Sequence, residues 1–274
     1  MNLKKLKLKN FTGLLLAFVA VTMFFSCSDD NNDPVSDQNA KVKVSMTDAP
    51  GDYQAVFVDV TDVKIKADAA ADEQGWVSLG NVQPGVYDLL TLTGGVTQLL
   101  ADAEVPAGFL GQIRLVLGTD NKVVLNDGSE QPLATPSAQQ SGLKLQVNQE
   151  LEAGMEYEYL LDFDVDNSIV SAGNSGGFIL KPVIRLSAKE GSGTISGEVQ
   201  PSTFQSVVTA TNASSHNISA YTAADGKFSL NGVPAGTYQV TVTPALVSGL
   251  DAIVVNNVVV TSGATITLDT IFLE

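Results

Sequence analysis

One cysteine, one histidine and one tryptophan in 274 residues leave little of the material from which reactive sites are built. Cys27 has no second thiol to pair with, so no disulfide holds the chain together. His216 sits in the polar stretch 214–219 without a cysteine or second histidine to help it. Neither a zinc cage nor a Ser-His-Asp triad is expected, and His216 reads as an exposed loop residue. Basic residues are scarce as well: fifteen Lys and Arg stand against thirty Asp and Glu, for a formal charge of −15. Lys4, Lys5, Lys7 and Lys9 account for four of the fifteen, and without residues 1–26 the charge falls from −15 to −19. No basic patch or arginine stripe remains to meet a phosphate backbone, so nucleic acid is not expected as a partner. Residues 11–25 are apolar but for Thr12, Gly13 and Thr22, and are shorter than the ~20 residues a bilayer span needs. Long helical patterns are few. Hydrophobic content of 44% with 24 glycines suits a globular all-β chain.

The four N-terminal lysines followed by that apolar run have the layout of a secretory signal. Phe24, Phe25 and Ser26 lead into Cys27 and resemble a lipobox, with a small residue just before the cysteine to be acylated; Phe24 stands where leucine is usual. The resemblance implies a bacterial lipoprotein: residues 1–26 a signal peptide, Cys27 the lipidation site, and residues 27–40 the lipidated cysteine with an acidic linker. Each buried CH₂ of an acyl chain contributes ~0.8 kcal/mol, and two chains suffice for stable anchoring. Ser28, Asp29 and Asp30, continued by Asn31, Asn32 and Asp33, resemble the acidic export signal of Bacteroidetes surface lipoproteins. The implied location is the outer membrane, facing the cell exterior, with the membrane itself a partner through acylated Cys27.

From Lys41 the pattern becomes one of strands. Val42, Val44 and Met46 alternate with Lys41, Lys43 and Ser45, and Pro50-Gly51 then demands a turn. In the strand from Val56, residues Phe57, Asp59, Thr61, Val63 and Ile65 share one face, and Val56, Val58, Val60 and Asp62 the other. Apolar groups on both faces place it centrally in a sheet. Val96, Leu99 and Leu100 fit one helical turn and form a short helix candidate. The segments TDAP, VDVTDVKI, GWVSL, YDLLTL, PAGFLGQIRLVL, LLDFDVDNSIV and ILKPVIRL, in that order, resemble the bacterial domain family of unknown function DUF4382 over residues 41–190. That family carries no established activity.

Residues 191–193, Gly-Ser-Gly, read as a flexible hinge. Beyond it, TAADGKFSLNGVPAGTYQVTV alternates Phe228 and Leu230 inward, turns at Pro234-Ala235-Gly236 and continues through Tyr238, Val240 and Val242. This spacing resembles the carboxypeptidase regulatory-like module over residues 194–274, which implies a transthyretin-like sandwich. The expected architecture is two β-sandwich domains in tandem, 41–190 and 194–274.

Acidic side chains supply the candidate sites. Asp162, Asp164 and Asp166 have the D-x-D-x-D spacing of a calcium loop. Asn167 replaces its turn glycine, however, and Gly173 its bidentate glutamate. Alternation with Leu161, Phe163 and Val165 favours a strand carrying three acids on one face ~7 Å apart, relieved by Arg114, Lys181 or Arg185. No metal site is favoured, structural Ca²⁺ being the weaker reading. Asp48, Asp52, Asp59 and Asp62 form a second acidic group, with Asp48 expected to bond the amides of its own turn. Trp76, Tyr53, Tyr87 and Tyr157 are candidates for a sugar-stacking platform, though core roles are the commoner use. The expectation is a protein without catalysis or cofactor, a binding or adhesion module with a protein or glycan ligand. The alternative is a glycan-binding accessory of a polysaccharide uptake system; a carboxylate-pair hydrolase is a third reading.

Overall fold

Alternating burial organises the first half of the molecule. The computed structural model describes residues 38–49, 51–70, 72–135, 142–172, 177–214 and 217–274; the readings placed on Cys27, Ser28, Asp29, Asp30 and His216 lie outside the described residues. In chain order the strands of the first half are β1 (Asn39–Ala49), β2 (Ala55–Lys66), β3 (Val77–Ser78), β4 (Gly85–Asp88), β5 (Gln98–Pro106), β6 (Gly108–Leu117) and β7 (Lys122–Val124). They continue with β8 (Glu130–Ala134), β9 (Leu143–Leu151), β10 (Glu156–Asp164), β11 (Ile169–Ser171), β12 (Phe178–Leu180) and β13 (Ile184–Ala188). A four-residue helix, α1 (Val165–Ser168), follows β10 directly. Among the described residues no helix is long and apolar enough to cross a membrane.

β1 buries Ala40, Val42, Val44 and Met46, as its period of two requires. It lies between β10, parallel, and β5, antiparallel, in a four-stranded sheet of order β13-β10-β1-β5. The opposing sheet has nine strands, with β2 pairing β3, β4, β6 and β7. Val56, Val58 and Val60 of β2 and Ile113 and Leu115 of β6 meet Val42, Val44, Tyr159 and Leu161 in one core. A fully buried side chain of this size contributes ~1.5–3 kcal/mol, so alternation on facing sheets is enough to fix the register.

Two local expectations fail, one to a bulge and one to strand pairing. The register of β2 against β6 shifts between Val60 and Asp62, and this bulge turns Val63 into the core instead of leaving it beside Phe57 and Asp59. The helix candidate does not form: Leu99 and Leu100 lie in β5, which starts at Gln98 and continues through Ala101, Ala103 and Val105 as a strand paired to β1, and Val96 precedes it. Pairing with β1 from Asn39 to Met46 outweighs one turn of helical spacing, which has little stability by itself.

The second half forms β14 (Ser192–Gln200), β15 (Ser206–Asn212), β16 (Asn217–Tyr221), β17 (Lys227–Pro234), β18 (Gly236–Pro244), β19 (Ile253–Val260), β20 (Thr265–Thr267) and β21 (Ile271–Phe272). One sheet runs β17-β14-β20, with β21 also on β14, and the other β16-β15-β18-β19. Phe228, Leu230, Tyr238, Val240 and Val242 point inward as expected, joined by Ile195, Val208 and Ile271 in a separate core. The protein is therefore all-β, two sandwiches in tandem. Residues Ser36–Glu274 nevertheless make one compact unit.

The Gly191–Gly193 stretch is not a free linker. Ser192 and Gly193 open β14; Ser192 Oγ donates to Ala188 O at 2.7 Å, and a side chain on Gly193 would strike Thr261 O and Ala264 O. Ser192 and Gly193 are buried by this close packing, while Gly191 is an exposed turn residue.

Candidate functional site at the seam between the sandwiches

Polar side chains concentrate where the ends of β1, β10 and β13 meet β16 and β17. β10 ends in Asp162 and Asp164, and β13 pairs antiparallel to it with Arg185 opposite Asp162. Arg185 Nη2 lies 2.7 Å from Asp162 Oδ2, and Nε is 3.2 Å from the same oxygen. Its Nη1 donates to Ser187 Oγ (2.5 Å) and, across the seam, to Gly232 O (2.7 Å). Asn231 returns the contact: its Nδ2 donates to Gly95 O at 3.0 Å, while its Oδ1 accepts from Ser229 Oγ and Thr194 Oγ1. Tyr221 OH donates to Gly51 O at 3.3 Å.

Glycines let the two backbones approach. Gly95 has φ +97°, and a Cβ there would run into Ser229. Gly232, at φ +62°, would run into Ser187 of β13. Both positions combine a left-handed backbone with a neighbour where a side chain would stand, and only glycine meets both demands.

The acids do not share a strand face. β10 ends at Asp164, whose carboxylate caps α1 by accepting from Asn167 N (3.1 Å) and Asn167 Nδ2 (2.8 Å). That cap starts the helix and carries Asp166 away from the strand, where its Oδ1 accepts from Asp52 N at 2.9 Å. Asp162 is buried and belongs to Arg185, the one of the three proposed cations that relieves it. Arg114 is engaged elsewhere, 2.7 Å from Glu73 and 4.0 Å above the Trp76 ring, and Lys181 is exposed. Burial raises the Asp162 carboxyl above the ordinary range, and Arg185 pulls it back down. Among the described residues no group of three or more acidic, histidine or cysteine side chains is arranged to hold a metal ion.

Asp48 departs furthest from expectation. It does not bond its turn's amides: it is 2% exposed and neither carboxylate oxygen has a hydrogen-bond partner. Burial, and then the charge of Asp162, push its carboxyl up to about 9; the Val165 amide pulls the other way without forming a bond, and Asp164 and Asp166 add to the rise. Sequence reasoning missed it because a TDAP turn reads as solvated, whereas here the second sandwich closes over it. The rest of that acidic group is structural: Asp52 accepts from Asn126 Nδ2, Asp59 from Asp120 N, and Asp62 from Ser78 Oγ.

Two hollows flank this polar bridge. One is a groove of about 260 Å³ with Glu158, Ser187, Lys189, Thr194, Asn231 and Thr265 on its walls. The other is a void of about 10 Å³, lined by Asp48, Asp162, Ile218, Ala220, Leu230 and Asn231 among others. The four aromatics form no open platform. Tyr157 is buried, Tyr53 and Tyr87 pack on the first core, and Trp76 lies half-buried under Arg114.

These observations define an all-β protein of two coupled sandwiches, the first carrying the TDAP and DFDVDNS segments at its polar end. The family described as "Domain of unknown function (DUF4382)" matches residues 39–182, more than half of the chain, and the protein belongs to it. No curated protein matches. Among solved structures, the Bacillus anthracis TIE protein is 10% identical with a TM-score of 0.24, over 86% of this chain and 34% of that one. The chain thus spans about a third of that protein's length. The shaft pilin SpaA of Lactobacillus rhamnosus GG is 10% identical with a TM-score of 0.24, over 86% of this chain and 97% of that one. A streptococcal ancillary pilin is 12% identical with a TM-score of 0.19, over 85% and 62%.

Proposed function

We propose that the protein is a non-catalytic, lipid-anchored module of the outer membrane, facing the cell exterior and serving binding or adhesion. In this reading residues 1–26 are removed, Cys27 carries the acyl chains, and Ser28, Asp29 and Asp30 direct export. The DUF4382 sandwich is the outward-acting part, and residues 194–274, read as a carboxypeptidase regulatory-like sandwich, form a stiff support. The observation that carries it is the seam. Arg185, Asn231, Gly95 and Gly232 hold two separate cores as one body, which suits a module that transmits load or presents a surface at fixed orientation. Of the acids at that junction, Asp162 is paired with Arg185 and Asp164 caps α1. Asp48 and Asp162, the buried carboxylates that come together, line a void of only about 10 Å³, too small for a sugar ring.

Mass spectrometry of the native protein tests the anchor: a diacyl or triacyl mass on Cys27 is expected, and an unmodified Cys27 overturns it. Protease added to intact cells is expected to remove the protein; survival until the outer membrane is opened would place it in the periplasm. The glycan-binding reading draws on the groove, whose walls carry Ser187, Thr194, Asn231 and Thr265 as hydrogen-bonding groups, sized for one sugar residue more than for a chain. Its check is a glycan array: binding abolished by Asn231→Ala supports that reading, and silence across the array removes it.

A further inference from the structure

Asp48 is, among the described residues, the carboxylate with both oxygens buried and unpartnered, and a group in that position requires an account. An ionised carboxylate there would be out of water and unpaired, which burial strongly disfavours. Its surroundings make the charge worse. Asp162 and Asp164 face it from β10 and Asp166 from α1; Asp52 and Tyr53 lie in the loop after β1. Arg185 of β13 is committed to Asp162. Tyr221 of β16 is itself held neutral by burial and by Asp166, Asp52 and Asp48. From the second sandwich β16 and β17 present Ile218, Ser219, Ala220, Ser229, Leu230 and Asn231, with no charge among them.

A divalent cation fits this void poorly. Ca²⁺ takes six to eight oxygens. Here Asp162 Oδ2 is used by Arg185, Ser229 Oγ donates to Asn231 Oδ1, Gly95 O accepts from Asn231 Nδ2, and aliphatic residues make up much of the rest. A proton removes the charge without needing ligands.

We propose that the seam is a proton-dependent latch: the second sandwich seals over a neutral Asp48, and docking weakens as solution conditions favour the ionised acid. The lid is β16 and β17, which keep water from the carboxyl. With the seam open, Asp48 is hydrated and ionises like an ordinary aspartate; closed, it keeps its proton through neutral pH, up to about 9. Closing therefore takes up a proton. The closing equilibrium weakens by up to about tenfold per pH unit between the two ionisation ranges, and is strongest in acid. This device goes beyond the surface-module reading and does not depend on acylation or location.

Carboxyl-carbon NMR of the purified full-length chain reads the proton directly. The Asp48 signal, assigned by through-bond correlation and checked by its loss in Asp48→Asn, is expected at the neutral-acid position at pH 7 and to move only in alkaline solution. Titration near pH 4 overturns the proposal. Amide hydrogen exchange around Gly95 and Asn231, corrected for intrinsic rates, reads the latch. Wild type is expected to lose protection between pH 6 and 8.5 while Asp48→Asn keeps it; equal loss in both overturns the proposal. If the variant does not fold, the wild-type titration decides alone. Calcium at 1 mM is expected to leave the Asp48 signal in place at pH 7, and a calcium-dependent shift would replace the proton with a metal and overturn the latch.

Discussion

Arg185 reaches groups of both sandwiches with one guanidinium. Two of its nitrogens meet Asp162 and a third bonds Ser187 Oγ and Gly232 O, so its removal strands a buried carboxylate and a carbonyl together. Breaking such a buried pair costs on the order of 3 kcal/mol. Arg185→Met is expected to lower unfolding stability by about 2–4 kcal/mol in urea titration, and Arg185→Lys to recover only part, since an ammonium lacks the planar fork. Little of this was legible beforehand. Arg185 stood among three candidate partners for Asp162 because alternation gives the face a side chain occupies, not which charge lies opposite. Asp48 was misread for the same reason: its neighbours in sequence form a turn, and its neighbours in space come from strands about 170 residues further on.

Short elements here owe their shape to caps and pairing more than to propensity. α1 is one turn long and stands on the Asp164 carboxylate, so Asp164→Ala is expected to cost about 1 kcal/mol and to raise hydrogen exchange at Asn167. β5 is a strand although its first residues suit a helix, because β1 pairs with it antiparallel from Asn39 to Met46, with one bulge between Val44 and Ser45. At the seam, Gly95→Val sets a β-branched residue at positive φ against Ser229, and a loss of about 2–4 kcal/mol is expected; Gly95→Ala is destabilising as well, because its Cβ already meets Ser229. β19 forms an edge of its sheet, bears no charge, and exposes Val254 and Val259. Such an edge invites pairing with another chain. Val259→Lys is expected to delay aggregation on heating, measured by light scattering, without shifting the unfolding midpoint.

Across the whole molecule the seam makes two cores behave as one. Calorimetry of the intact protein is expected to show a single transition, and Arg185→Met or Gly95→Val to split it into two as each core unfolds independently. The pH profile follows from two opposed groups of acids. Asp72, Glu73, Asp127, Glu156 and Asp225 are held below their ordinary range, each chiefly by a hydrogen-bonding side chain. Their contribution is present above the ordinary carboxyl range and is lost as the solution is acidified through the lowered values. Asp48 and Asp162 are raised, chiefly by burial, so their contribution is complete below the ordinary range and is lost as pH climbs, for Asp48 toward about 9. The thermal midpoint is therefore expected to peak in mildly acidic solution, about pH 4.5–6, and to fall on both sides. In Asp48→Asn the alkaline fall should flatten and the acid fall remain.

What the chain determined by itself was its class and most of its strands. Val42, Val44 and Met46, or Phe228 and Leu230, alternate so regularly that no other regular structure buries them together, and the motif order from TDAP to ILKPVIRL pointed to the family. What tertiary structure decided was where strands meet others far away in sequence. The bulge between β2 and β6 that turned Val63 inward, the Ser192-Gly193 pair that became buried strand, and the carboxyl of Asp48 left without a partner under the second sandwich all follow from pairing and packing between segments distant in sequence. Periodicity records which side of a strand faces a core; it holds no record of what is laid across that strand's end, and there the electrostatics of a carboxylate are set by how much water its neighbours exclude.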